Sequence, residues 1–159
     1  MQNKNLSRMI KLADEFFEAK SDPMQISVNG ETMEVLKKIH PSTMGEIVNK
    51  DGPIAWVLVI PTTHVLMKQF ISKKINEEQL LHNTPLESKY DAVYLCSALV
   101  LPEERGRGLA TRLLIKAIRS IKKKHPVKFL FYWGFSPEGK SLAGDVAKKL
   151  SLPLYSRKA

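Results

Sequence analysis

Residues Val100 to Leu114 read V-L-P-E-E-R-G-R-G-L-A-T-R-L-L. An apolar run, Ala92 to Leu101, delivers the chain to Pro102, and an amphipathic run follows from about Gly108 to Lys124. Between them Glu103 and Glu104 predict an exposed turn, and Arg105-Gly106-Arg107-Gly108-Leu109-Ala110 leads into the helix. Glycines at alternate positions let the backbone turn tightly and leave amides unscreened by side chains. A helix N-terminus carries roughly half a positive charge, and arginines add permanent forked charge. A strand, a proline, a glycine turn, two arginines and a helix, in that order, describe a site for a pyrophosphate. A bare Gly-x-Gly would fit an ordinary strand-to-helix turn with solvated arginines. All these features in register favour the anion site.

Working outward, the helix after Gly108 has an apolar side of Leu113, Leu114, Ala117, Ile118 and Ile121, and a basic side of Arg112, Lys116, Arg119, Lys122 and Lys123. Pro126 stops it. Val127 to Trp133 reads as the next strand, Ser141 to Leu150 as the last helix and Leu152 to Ser156 as a final strand. A strand-helix-strand order predicts two adjacent parallel strands with a right-handed crossover. Upstream, apolar residues at three- and four-residue spacing predict a helix over Asn5–Lys20, and a second helix is expected over Thr32–Ile39. Gln25–Val28 reads as a short strand. Gly45–Val48 and Ile54–Ile60 read as strands joined by the turn Asn49-Lys50-Asp51-Gly52, with Pro61 closing the second. Helices are expected over His64–Ser72 and Asn76–Leu81.

Gly134 to Ser141, G-F-S-P-E-G-K-S, matches the nucleotide-binding pattern G-x-x-x-x-G-K-[ST] letter for letter. A phosphate cradle needs backbone amides, and Pro137 removes one. It also needs a magnesium-binding Asp from a neighbouring strand, and the two long apolar strands end in Pro61 and Pro102. A plain turn at Ser136–Gly139 with a helix opening at Lys140-Ser141 accounts for the letters better.

The Val100–Leu114 segment resembles the acyl-CoA-binding motif of the GNAT superfamily of N-acyltransferases. Arg105-Gly106-Arg107-Gly108-Leu109-Ala110 stands where that motif places its glycine turn, with Val100-x-Pro102 before it and Leu113-Leu114 after it. The resemblance implies an α+β, three-layer fold: a mixed, mostly antiparallel central sheet with a parallel, splayed strand pair, flanked by helices. It implies one domain over residues 1–159, with an acceptor-side helical region at 1–44 and a sheet core with the acyl-CoA site at 45–159. It implies acetyl-CoA as donor and an amine-bearing acceptor, with direct transfer in a ternary complex. The pyrophosphate would rest on the amides of Arg105, Gly106, Arg107, Gly108, Leu109 and Ala110, with the Thr111 hydroxyl. The pantetheine arm would pair with Leu99, Val100 and Leu101, between the splayed strands. Tyr94, Ser97, Tyr132 and Tyr155 are the candidates for proton transfer, and Asp91, Cys96 and Glu46 are further candidates for the base by position alone. Many members carry a Tyr in the last helix that protonates the leaving thiolate. Aligning Ala143 puts Ala147 there, so the usual acid is missing.

Composition bounds the reading. The chain has 159 residues, net charge +9 and pI about 9.7, a balance suited to an anionic partner. It has one cysteine, so no intramolecular disulfide can form. The four histidines, His40, His64, His82 and His125, lack metal-ligand spacing, and no metal is expected. No apolar run approaches the ~20 residues needed to span a bilayer, and the first residues lack a signal-peptide core. A cytoplasmic protein is the expectation, with a homodimer compatible with it. Two other functions compete. One is an acyl-CoA-binding module without turnover, for which the missing Tyr speaks. The other is a nucleic-acid-binding protein, for which the charge speaks. The F-L-F-Y-W run, apolar on both strand faces, argues for burial and against stacking on bases.

Overall fold

A computed structural model describes residues 4–19, 30–134 and 136–158, and leaves out the side chains of residues 17–19. The expected strand at Gln25–Val28 lies outside the described residues. The sheet begins with the turn at Asn49–Gly52. The Asn49 side-chain oxygen accepts from the Asp51 amide at 2.9 Å, and Gly52 takes φ 115°, a conformation glycine reaches without strain. This turn joins β1 (Met44–Asn49) and β2 (Gly52–Thr62) in an antiparallel pair. Helix α1 (Lys4–Ala19) is tied to the same turn, where the Asn5 amide donates to the Asp51 carbonyl at 2.9 Å and the Asn5 side-chain amide donates to the Asn49 side-chain oxygen at 3.1 Å. Helix α2 (Gly30–Ile39) follows in sequence.

Strand β2 runs through Pro61 rather than stopping there. The Val59 amide donates to the Thr43 carbonyl, toward β1. Backbone groups two residues on point the same way, so Pro61 turns its missing N–H toward the side on which β1 has already ended at Met44. A proline is tolerated there because no ladder bond is lost.

After β2 come α3 (His64–Ile71), capped by the Thr63 hydroxyl, and α4 (Glu77–Asn83), opened by a capping box between Asn76 and Gln79. Then follow β3 (Ala92–Val100), α5 (Leu109–Lys122), β4 (Phe129–Gly134), α6 (Pro137–Leu150) and β5 (Leu154–Lys158). The five strands lie in the order β1-β2-β3-β4-β5. β2–β3 is antiparallel, and β3–β4 is the expected parallel pair. β5 adds a second parallel pairing, on β4.

Strand alternation gives the sheet two apolar faces. Val57, Val59, Val93, Leu95 and Leu130 share one core cluster with Leu113, Leu114 and Ile118 of α5 and Val146 of α6. Leu58, Ile60, Tyr94 and Phe131 share the other with Leu36 of α2, Met67 and Phe70 of α3 and Leu80 of α4. The basic residues of α5 are left exposed. The F-L-F-Y-W strand is buried on both faces, with Leu130 and Phe131 fully enclosed.

Two histidines stitch the ends of α2 and α5 to the start of β3. The His40 Nδ1 accepts from the Ser42 amide at 3.0 Å, and the His125 Nδ1 accepts from the Tyr90 amide at 3.3 Å. The rings meet edge-on at 5.8 Å, and His125 stacks on Tyr90 at 4.7 Å. Desolvation lowers both pKa values, helped for His40 by His125 and Lys124 and for His125 by Lys89 and Lys124. A ring nitrogen that accepts must be unprotonated, so the neutral rings belong to the fold. A folded pKa below the unfolded ~6.5 means that the unfolded chain binds more protons, so stability is present above that pH and lost below it. The melting temperature is expected to fall between pH 7.5 and pH 5.5, and His125→Gln is expected to flatten that slope. Calorimetry across the range checks both.

Candidate functional site

A single extra residue shapes the site. β3 pairs with β2 as Val59↔Leu95 and then Leu58↔Ser97, so Cys96 is bulged out of the ladder. β3 pairs with β4 only over Ala92–Leu95, and the strands part at the bulge. A bulge bends its strand and shifts the phase of all that follows. Before it, Val93 and Leu95 enter the cluster beneath α5. After it, Ala98 pairs with Val57 on that face, and Ser97 and Leu99 turn to the opposite face. Backbone groups shift in step. The Leu101 amide donates to the Ile54 carbonyl at 3.0 Å, toward β2, and by alternation Leu99 points the same way. Ala98 and Val100 therefore turn their amides to the open edge. Of the three residues expected to pair with a ligand arm, Val100 faces the gap, and Leu99 and Leu101 do not.

The glycine turn stands at the end of this edge. A short 3-10 turn, Pro102–Glu104, leads to Gly106 at φ 84° and Gly108 at φ 73°. A Cβ on either would meet nothing within 4 Å, so open space lies over both. Gly108 caps α5 in the left-handed region and offers no side-chain bond to the helix. The first-turn amides, Leu109, Ala110 and Thr111, have no acceptor within the helix by its geometry. The arginines do less here than their sequence position suggests. The Arg105 Nε donates to the Val100 carbonyl at 3.0 Å, and Arg107 pairs with Glu104 at 2.5 Å. Arg8 of α1 forks onto Glu103, both bonds 2.7 Å, and holds the Glu103 carboxyl at a pKa of about 2. Positive potential at the turn thus rests mainly on amides and the helix dipole.

On the sheet face opposite α5 lies a cavity of about 400 Å³. Its floor is two cross-strand rows, Glu46–Trp56–Leu99 and Met44–Leu58–Ser97. Ala13 of α1 and Met33 of α2 form its sides. The Trp56 indole N–H donates to the Glu46 carboxylate at 2.6 Å. Sequence reading missed Met33, Met44 and Trp56, because nothing in spacing shows which strand faces stand under the first two helices.

The candidates for proton transfer are scattered. Ser97 and Glu46 line the cavity. Tyr94 is fully buried beneath α4, where its hydroxyl donates to the Glu77 carboxylate at 2.5 Å. Burial, and the carboxylate beside it, push the phenol well above its ordinary pKa, so it stays protonated. The Cys96 thiol donates to the same carboxylate, at 3.6 Å. Tyr132 is buried in the cluster beneath α5 and α6. Tyr155 is 44% exposed on β5, the far edge strand, packed against Phe129. Asp91 sits at the other end of β3, paired with His64 Nδ1 at 2.6 Å. Ala147 is buried in α6. Residues Pro137 to Ser141 of the nucleotide-binding pattern are helical: Ser136 caps the Gly139 amide, and α6 starts at Pro137, four residues earlier than expected. Among the described residues of the pattern, no extended loop remains to wrap a phosphate.

The sequence profile of the acetyltransferase (GNAT) family matches residues 10–139. The chain belongs to that family, whose members catalyse acyl transfer. Among solved structures, that of Chaetomium thermophilum Naa20 in complex with a bisubstrate analogue is similar over 93% of this chain and 67% of its own, at 15% identity and a TM-score of 0.52. At that identity the likeness is one of fold. The loading GNATL domain of CurA from Lyngbya majuscula matches 80% of this chain and 59% of its own, at 16% identity and a TM-score of 0.48. No curated protein sequence matches this one. Among the described residues, no helix is long and apolar enough to cross a membrane.

Glu77 is expected to hold the bulge in place. Glu77→Ala strands the buried Tyr94 hydroxyl and should cost about 1–3 kcal/mol. Adding Tyr94→Phe removes the stranded donor and should recover part of it, which urea denaturation of the two variants measures.

Proposed function

We propose that this protein transfers an acetyl group from acetyl-CoA to an amine by direct attack in a ternary complex. The observation that carries the proposal is the meeting of three features at one strand. The open edge of β3 runs from the bulge at Cys96 to the glycine turn, and Ser97 and Leu99 on that strand floor the cavity. Coenzyme A fits this arrangement. The open space over Gly106 and Gly108 leaves room for its pyrophosphate, and the amides of residues 106–111 would hold it. The amides of Ala98 and Val100 would pair with the pantetheine arm, and one of them would polarise the thioester carbonyl. Bound there, the thioester supplies an activated acyl carbon.

The chain's own groups do the rest. The cavity brings an acceptor nitrogen to the Ser97 end of the floor, beside the open edge. The nitrogen bonds to the acyl carbon as the carbon–sulfur bond breaks, and sulfur leaves with the bonding pair. The nitrogen must shed a proton, for which the Ser97 hydroxyl and cavity water are the relay at hand. Ala147 is buried in α6, where the family's phenol is expected, so the sulfur leaves as thiolate or takes its proton from another group. That same residue favours a second reading, in which the domain binds acyl-CoA without turnover.

Gly108→Glu is the decisive variant. Its side chain brings negative charge and bulk to the cradle, and a φ of 73° strains any residue with a Cβ by about 1–2 kcal/mol. Calorimetric titration should show the affinity for coenzyme A falling more than tenfold. Gly108→Ala, with the strain but not the charge, separates the two effects. Unchanged binding in Gly108→Glu sinks the assignment. Binding by the wild type without thiol release from acetyl-CoA, across a panel of amines, favours the second reading.

A further inference from the structure

The cavity floor has a direction. Its Glu46–Trp56–Leu99 row starts on the edge strand β1 and ends on β3, where the strands part. β1 and β3 lie two strand spacings apart, about 10 Å at ~4.8 Å per spacing. Glu46 is the sole ionisable side chain among the described residues lining the cavity. Its carboxylate is held by the Trp56 indole at 2.6 Å, which fixes one oxygen and leaves the other to accept from a ligand. Between the two ends the lining is apolar: Met33, Met44, Leu58 and the Trp56 ring.

A group at Glu46 is therefore too far from the parted strands to take a proton directly from a reacting nitrogen there. It is well placed to hold the other end of the same molecule. We propose that the acceptor is a linear diamine, with one amine at the Ser97 end and the second, as an ammonium, on Glu46. Ser97 lies one row along from Leu99, so the two ends are diagonal across the floor, and an alkyl chain of about six to eight carbons covers that span. This rests on the transfer reading given above. The chemistry is complementary throughout: methylene groups against methionine, leucine and indole, and one cation against one carboxylate made rigid by its indole partner. The protein's net charge of +9 repels dications at long range, so the preference has to arise from this local carboxylate.

The test compares hexamethylenediamine, hexylamine and aminohexanoic acid, which share a chain and differ at the far end. Binding is followed by Trp56 fluorescence with coenzyme A present, using Trp56→Phe as the blank, and transfer is followed by thiol release. The diamine should bind roughly two- to fivefold more tightly than the monoamine, the size expected of an ion pair on an exposed carboxylate. Glu46→Gln keeps an acceptor for the indole and loses the charge. It should raise Kd and KM for the diamine to the monoamine's level and leave hexylamine unchanged. Glu46→Lys should turn the preference toward aminohexanoic acid. Equal binding of diamine and monoamine by the wild type overturns the proposal. So does a Glu46→Gln variant whose kcat falls equally with both amines, since that behaviour belongs to a base. Diamine preference in binding without thiol release from any amine supports the cavity assignment and counts against the transfer reading alone.

Discussion

The site depends on one residue too many in β3. Without Cys96 out of register, side chains would alternate unbroken from Ala92 to Val100, and Ser97 and Leu99 would enter the core beneath α5 with Val93 and Leu95. With it, the strand changes phase by one position at the point where it leaves β4. A cavity floor and an open row of amides are thus two consequences of a single insertion. The bulge would be costly if left loose. Glu77, wholly buried at the start of α4, accepts from both Tyr94 and Cys96 and ties the inserted residue to the helix above it.

The turn at the end of the strand shows how net charge and local charge differ. Arg105 and Arg107 stand out in the sequence, yet one folds back onto the Val100 carbonyl and the other onto Glu104. Glu103 answers Arg8, which closes α1 against the turn. Exposed pairs of this kind contribute little stability. Their effect is positional: they hold the loop open around Gly106 and Gly108 and leave the amides as the unpaired positive groups. A +9 chain can therefore have an anion site whose attraction is mostly backbone.

Much of this was legible in the sequence. Periodicity found α1 and α5 to within about two residues, because each has one apolar stripe, and α2 fell within the same margin. The Asn49–Gly52 turn and the parallel β3–β4 pair followed from turn chemistry and connection length. Pro61 misled because its tolerance depends on where the neighbouring strand ends, which is a tertiary fact. The bulge was invisible for a similar reason. Leu95-Cys96-Ser97-Ala98-Leu99 is apolar or small at every position, so no alternation existed whose break could be seen. Nothing in the sequence marks Glu77 as buried, because the hydroxyl it meets, that of Tyr94, lies on a different element.

Two glycine segments competed for the phosphate, and letters alone could not separate them. The backbone does. Gly106 and Gly108 have positive φ, whereas Gly134 and Gly139 do not. Helix α6 opens with Ser136 accepting from its own third amide and with a proline at its start, so two of the donors that an anion needs are taken or absent. Helix α5 opens on a glycine without a side chain to spend on its own amides. A helix that caps itself is finished as a structure. A helix left uncapped at an exposed, left-handed glycine retains orphan donors, and these either go to water or to a ligand that brings the acceptors.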